Sequence, residues 1–469
     1  MRAQLFRTKH YLANENASHG LKRCLSAWDL TFLGVGAIIG TGIFVLTGVA
    51  AATQAGPAVV ISFILAGFAC AFAALSYAEL SSAIGGCGSA YGYSYVAFGE
   101  LCAFIIGWDL LLEYSIAVAT VANGWSGYFC NALTAIGLGL PDSLTKAPEL
   151  GGFINLPASG IILLLMTLLI LGAKQSAKAN NAMVFVKLIT ITVFIAVAVF
   201  NVHPENWQPF MPFGWFETQA DGRTTGVLAG ASLVFFAYVG FDAVSTATEE
   251  ANNPQRDLPM GIVASLLFCT LIYIIVSGLL TGVVNYTQLN VSSPVAHALS
   301  LIGVTWASAL VSTGVIAGLS TVMLVLYYAL TRIIFAMSRD GLLTHYFDHV
   351  HPKTQTPVRV IVLTGIIMAL IAGFIPLNEL AELVNIGTLA AFVLVCFGVI
   401  VLRLTKPEMP RPFRSPFNLL CPILGVLSCS ALMAFLPAIT WLRFVVWLVI
   451  GLIVYFCYSM HHSKLAAEQ

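Results

Sequence analysis

Charge is scarce in this chain. Asp, Glu, Lys and Arg make up 9% of its 469 residues, against 59% apolar ones, a balance that rules out an ordinary soluble domain. Between the apolar runs no polar segment exceeds about 25 residues, too short for an independent core. A GxxxxGK[ST] nucleotide loop is missing, so the chain has no ATP-driven machinery of its own. The ten cysteines are scattered without a pair at metal-ligand spacing; they read as small core residues, with neither disulfide nor metal site expected. The nine histidines fall in tails, loops or at span ends, so nothing supports an intramembrane histidine relay. The first 27 residues are polar and basic and lack the apolar stretch of a signal peptide.

What the chain does have is apolar length. Its mean hydropathy is +0.90, and runs of about 18 or more apolar residues recur from end to end, the mark of an all-α polytopic membrane protein. About twelve transmembrane helices are expected, near 28–52, 57–83, 97–131, 156–172, 181–201, 226–249, 259–284, 304–337, 358–374, 379–403, 419–436 and 441–460. With the amino terminus in the cytoplasm, all 21 lysines and arginines except Lys146, Arg223, Arg443 and the intramembrane Lys187 fall on the cytoplasmic side. Lys22, Arg23, Lys174, Lys178, Arg339, Arg359, Arg403, Lys406, Arg411 and Arg414 are among them. That asymmetry fits the positive-inside rule with both termini cytoplasmic.

Two of the spans are interrupted. GVGAIIGTGIF at 34–44 lies inside the first, and FFAYVGFDA at 235–243 inside the sixth. A helix broken at membrane depth leaves backbone groups unpaired in hydrocarbon, which is tolerated where they line a cavity or hold a ligand. Gly34, Gly36, Gly40 and Gly42 let residues around Ile38 to Gly42 leave helical geometry cheaply; the competing reading of such spacing is close helix packing. The second half-helix begins near Thr41 and Gly42, and its free amides and positive dipole end suit a carboxylate. Ala237, Tyr238, Val239 and Gly240 interrupt the sixth span at the corresponding place, with carbonyls suited to an ammonium group. Amides on one side and carbonyls on the other match an α-amino acid zwitterion. The first and sixth spans then open two five-span halves, a LeuT-like inverted repeat with discontinuous first and sixth helices. The halves run over 28–201 and 226–403, preceded by a cytoplasmic lead-in at 1–27.

Ionisable residues inside a bilayer are costly and so are functional candidates. Lys187 lies about seven residues, roughly 10 Å, into the fifth span. Burial penalises its charged form, which suits proton coupling; the alternative is a fixed charge bracing the first and eighth spans. Asp109 and Glu113 share one face of the third helix. Glu113, the deeper, can meet a cationic substrate side chain or tether helices. Asp242 follows the second break and can titrate or cap it. Glu79 reads as structural. Phe236 can close over a ligand, and Ser320, Thr321, Leu324 and Val325 would line the eighth span opposite Lys187.

GAIIGTGIF at 36–44, YAELSSAIGGCGSAYGYSYVAFGE at 77–100, GWDLLLEY at 107–114, FFAYVGFDAVSTATEEANNPQRDLP at 235–259 and FAMSRDGLL at 335–343 together resemble the amino acid/polyamine/organocation superfamily. The likeness is greatest to bacterial members of its cationic amino acid transporter branch. It implies a five-plus-five inverted repeat with two additional carboxy-terminal helices at 419–460, a cytoplasmic tail at 461–469, and proton-linked uptake or exchange of amino acids. By motif, Ile38, Gly40, Thr41 and Gly42 would bind the α-carboxylate and amine through backbone groups, with Phe236 as aromatic gate and Val239 as carbonyl contributor. Thr321 and Val325 complete the substrate-binding set. Lys187 would stand where sodium-coupled relatives hold a cation, which implies sodium independence, and Glu113 matches the acid associated with positively charged substrates. Gly86 and Cys87 depart from the family pattern, in which a proline and a polar residue are frequent.

The sequence thus reads as a plasma-membrane amino acid permease working by alternating access, with Lys187 and Asp242 as proton-coupling residues. The partners implied are an amino acid, protons and the lipid bilayer, with no nucleic acid and no cofactor; a small accessory membrane subunit is neither required nor excluded. An obligate exchanger and a transporter-like sensor are the alternatives. Neither a channel nor a membrane enzyme fits, for lack of a continuous polar pore and of a facing nucleophile and base.

Overall fold

Each apolar run becomes a helix because a chain in hydrocarbon must satisfy its own backbone. The computed structural model describes residues 7–8, 25–84, 90–171, 177–218, 224–351 and 356–464. Most of the 1–27 lead-in, the Gly86–Cys87 departure, the end of the 461–469 tail, Lys22, Arg23, Lys174, Arg223 and the side chain of Lys178 lie outside the described residues. Within them, eight helices are long and apolar enough to cross a membrane, and four shorter apolar helices accompany them. The chain is therefore an all-α multi-pass membrane protein. A small ribbon pairing Glu217–Thr218 with Thr224–Thr225 sits in a connection.

In chain order the principal helices are α1 (Ala27–Ile38), α2 (Val59–Ala83), α3 (Ala90–Ala97), α4 (Glu100–Ala135), α5 (Leu156–Ile170), α6 (Ala177–Val199) and α7 (Val227–Val234). They continue with α8 (Pro254–Val283), α9 (Pro294–Leu301), α10 (Thr305–Arg339), α11 (Val358–Phe374), α12 (Leu377–Thr405), α13 (Leu420–Ala434) and α14 (Ala438–Val454). Between α1 and α2 the backbone is irregular. It leaves helical geometry at Ile39 (ψ 99°), resumes through a π-helical turn at Gly42–Leu46 and a second at Ala51–Ala55, and reverses at Gly56, φ 62°, before Pro57.

Packing sorts the helices into two groups. One has α8 against α1 and α2, with α2 also against α7; the other has α4 against α10 and α11 against α5. The second group is bolted together at one end. Asn155 Nδ2 donates to Asn123 Oδ1 at 2.8 Å, and Ser126 Oγ to Asn155 Oδ1 at 2.6 Å. Asn123 also donates to the Ala372 carbonyl, and the Asn155 amide to that of Gly373. Helices α6 and α12 join the groups, α6 lying on α10 and α1, and α12 on α4 and α2.

Glu79 has the structural role expected of it. Both its oxygens accept from Arg403 on α12, and Arg411 stands 3.6 Å away. The Ser415 amide and hydroxyl each donate to it at 2.9 Å. One buried acid thus holds α2, the end of α12 and the segment leading to α13. Glu100, at the start of α4, is a second buried acid, satisfied by Tyr455 and Ser463 from the carboxy-terminal segment.

Candidate functional site

The two breaks meet. A Cβ added to Gly42 would lie 2.2 Å from the Ala237 Cα, so at this point the first span touches the second break backbone to backbone. At Gly240, φ is 117°, in the region that favours glycine, and an added Cβ there would reach Ala37 at 3.1 Å. The sixth span passes from α7 through a tight 3-10 turn at Phe235–Tyr238, an extended Val239 and Gly240 into a second 3-10 stretch, Phe241–Glu250. Neither glycine can be replaced without moving a facing backbone or straining its own.

Helix ends leave carbonyls and amides without intrahelical partners, and here other helices supply them. Lys187 Nζ donates to the Gly36 carbonyl at 2.6 Å, placing a cation at the negative end of α1. Its stem packs against α10, since a Cβ on Gly318 would touch the Lys187 Cγ at 2.9 Å. Lys187 is 1% exposed and bridges the first and eighth spans. Tyr273 Oη on α8 lies 2.8 Å from the Ile38 carbonyl and 2.7 Å from that of Ala237. With one proton to give, it serves one break or the other at any instant. Tyr128 Oη donates to the Phe44 carbonyl at 2.8 Å, and Thr47 to that of Gly42.

The sequence-derived residues divide into two clusters. Ile38, Gly40, Thr41 and Gly42 lie at the first break, with Phe236 and Val239 buried at the second. Thr41 packs on Gly124 of α4, and its Oγ1 is buried without a hydrogen-bond partner. Opposite Gly40 stands Val322 of α10, 3.7 Å from where a Cβ would be. Thr321 and Val325 are half-buried neighbours of Val322 on the same helix, and Thr321 Oγ1 donates back to the Gly318 carbonyl. Ser320 instead accepts from Trp125 Nε1 at 3.0 Å. The face of α10 that meets Lys187 is the Gly318 face.

Glu113, Asp109 and Asp242 form the second cluster. Tyr114 Oη donates to Asp242 Oδ2 at 3.0 Å, tying α4 to the second half of the sixth span. Glu113 Oε1, Asp242 Oδ1, Asp109 Oδ1 and the hydroxyls of Tyr77 and Tyr93 are all buried without hydrogen-bond partners. Glu113 lies eleven residues along α4 from Gly124, about 16 Å at the helical rise. It belongs with Asp242 and not with Thr41.

Val322, Tyr273, Trp125 and Tyr128 escaped the sequence reading. A signal existed for the tyrosines, because a buried phenol finds a partner for its hydroxyl, but which carbonyl it finds is invisible along the chain. Among the described residues no group of His, Cys, Asp and Glu could hold a metal ion.

Residues 25–459 match the family described as amino acid permease. The chain is 52% identical over 467 residues to the methylthioribose transporter of Bacillus subtilis (strain 168), spanning 99% of each. It is 50% identical over 473 residues to the branched-chain amino acid permease BcaP of the same strain, across 99% of this chain and 100% of that one. To cationic amino acid transporter 4 of Homo sapiens it is 39% identical over 411 residues, 86% of this chain and 63% of that one. The chain belongs to the amino acid permease family of the amino acid/polyamine/organocation superfamily, and is a transporter rather than an enzyme.

Proposed function

We propose that the chain is a secondary active amino acid transporter that works by alternating access in the plasma membrane, coupled to protons and independent of sodium. One observation carries the reading: Gly42 abuts Ala237, which brings the start of the second half of the first span, with its amides, against the second break, with its carbonyls. An α-carboxylate suits the former and an α-ammonium the latter. Phe236 closes the site, and Val322, Thr321 and Val325 bound it on α10.

The five-plus-five repeat, with halves at 28–201 and 226–403 and both termini cytoplasmic, accounts for two breaks at corresponding positions. Lys187 supports proton coupling without sodium. It sets an ammonium between the broken first span and α10, where its charge faces the carbonyl end of α1, and losing the proton removes that charge. Asp242 is the second coupling group, at the opposite side of the second break. Glu113 is the pointer to cationic substrates such as arginine or lysine, while the aliphatic side chains at the first break favour small or branched neutral ones.

The methylthioribose transporter among the relatives supports a second reading, a thiosugar substrate. It is the weaker one, because a thiosugar has neither carboxylate nor ammonium to meet the paired backbone groups.

Uptake of labelled arginine, leucine, alanine and methylthioribose into proteoliposomes, with and without an inward proton gradient and with and without sodium, tests these readings. Gradient-driven, sodium-independent accumulation of an amino acid is expected. Accumulation only when the vesicles are preloaded with amino acid would make the protein an obligate exchanger. Uptake of methylthioribose alone would overturn the amino acid reading.

A further inference from the structure

The first half of each broken span ends on carbonyls that need a donor from elsewhere. For α1 the donor is Lys187 on α6. For α7 it is Asn385 on α12, whose Nδ2 lies 2.7 Å from the Ser232 carbonyl and 3.2 Å from that of Leu233. These carbonyls belong to the last turn of α7, immediately before the 3-10 turn at Phe235–Tyr238. Only the amide nitrogen can face two acceptors, which fixes the orientation of the side chain. Asn385 is fully buried, and its Oδ1 has no hydrogen-bond partner. The unpartnered oxygen is a cost that the two contacts made by the amide nitrogen offset. Ser232 passes the link on, its Oγ donating to the Leu432 carbonyl of α13 at 2.7 Å.

In the five-plus-five reading, α6 and α12 are the fifth and tenth spans and so correspond. We propose that Asn385 is a positioning residue that caps the first half of the sixth span as Lys187 caps the first half of the first. Through that cap it sets the carbonyls at 235–239 that receive the substrate's ammonium. The proposal rests on the amino acid reading. It adds an asymmetry, because the cap on the first span is an ionisable amine and its counterpart on the sixth is a neutral amide.

The test uses the full chain in proteoliposomes, with whichever of labelled leucine, alanine or arginine the unaltered protein takes up best and the corresponding des-amino acid as competitor. Asn385→Leu removes the side-chain donor from both carbonyls. It should raise KM about tenfold with little change in the maximal rate per folded molecule. Discrimination between the amino acid and its des-amino analogue should narrow by a similar factor, while the pH profile stays put. Asn385→Asp sets a carboxylate against two carbonyls and should lose more. Should either variant fail to fold, Asn385→Ser retains one donor and should show an intermediate KM. Unchanged KM and discrimination in a folded variant, or a pH profile displaced as in a Lys187 variant, overturns the proposal while leaving the amino acid reading intact. If the unaltered protein takes up only methylthioribose, both fall together, and that arm is read before any variant is made.

Discussion

The first break resumes through a wide π-helical turn and the second through tight 3-10 turns around a left-handed glycine. A π turn is rare and is found mostly at functional sites, whereas 3-10 runs longer than three or four residues are uncommon and often mark hinges. The ten-residue 3-10 stretch at Phe241–Glu250 is such a run. The anchoring chemistry differs as well. The first break has an ammonium before it, Lys187 on Gly36; the second has a neutral amide before it, Asn385, and an acid after it, Asp242, held by Tyr114. The two interruptions, in contact at Gly42 and Ala237, therefore carry different chemistry on their flanks, an amine before the first and an amide and an acid about the second.

The sharpest way to break the comparison is at the contact between the two. Gly42→Ala puts a methyl 2.2 Å from the Ala237 Cα, and neither backbone can yield without moving its break. Uptake should fall by about a hundredfold or more, since misplacing a site by about 1 Å costs that much; near-normal transport would show that the breaks do not share a site. Next comes Lys187→Ala, which should abolish stimulation by a proton gradient while exchange of internal for external amino acid survives. An unaltered pH profile of uptake would remove Lys187 from coupling.

Tyr273→Phe deletes a hydroxyl shared by both breaks. Losing a donor to a buried carbonyl costs about 1–3 kcal/mol, so an increase in KM of roughly tenfold is expected alongside a small drop in thermal stability of the purified protein. A drop in stability with KM unmoved would assign Tyr273 to packing alone. Glu113→Gln belongs to the acid side of the second break and should weaken arginine or lysine more than alanine in competition for uptake. Equal loss for every substrate would make Glu113 a structural acid. The smallest effect is expected at Gly40→Ala, because the nearest atom to the added methyl is Val322 Cγ2 at 3.7 Å, ordinary contact. Transport should stay within about threefold of normal, and its loss would mean that Gly40 serves through conformational freedom and not through space.

Much of this was legible along the chain because hydrocarbon imposes local rules. Helix positions follow from apolar length, so α5, expected near 156–172, spans Leu156–Ile170, and α11, expected at 358–374, spans Val358–Phe374. Gly42 and Gly240 announced their breaks because each stands where a side chain has no room or no allowed conformation. Lys187, Asp109, Glu113 and Asp242 stood out because a charge at membrane depth is rare, and all four are buried. The register of α10 was harder to read. Ser320 is turned to Trp125, and Val322 faces the first break instead, since on an apolar helix polar residues do not mark the inner face.

By itself, then, the sequence determined that this is an all-α multi-pass membrane protein with two interrupted helices and a few buried charges. These are properties of composition and spacing over one or two helical turns. Only the tertiary structure decided which groups answer one another. It brought Tyr273 to carbonyls 235 and 36 residues away, Asn385 to Ser232 at 153, Tyr114 to Asp242 at 128 and Arg403 to Glu79 at 324. A hydrogen bond needs its partner within about 3 Å, and at such separations the distance is set by how whole helices pack, which no local pattern encodes.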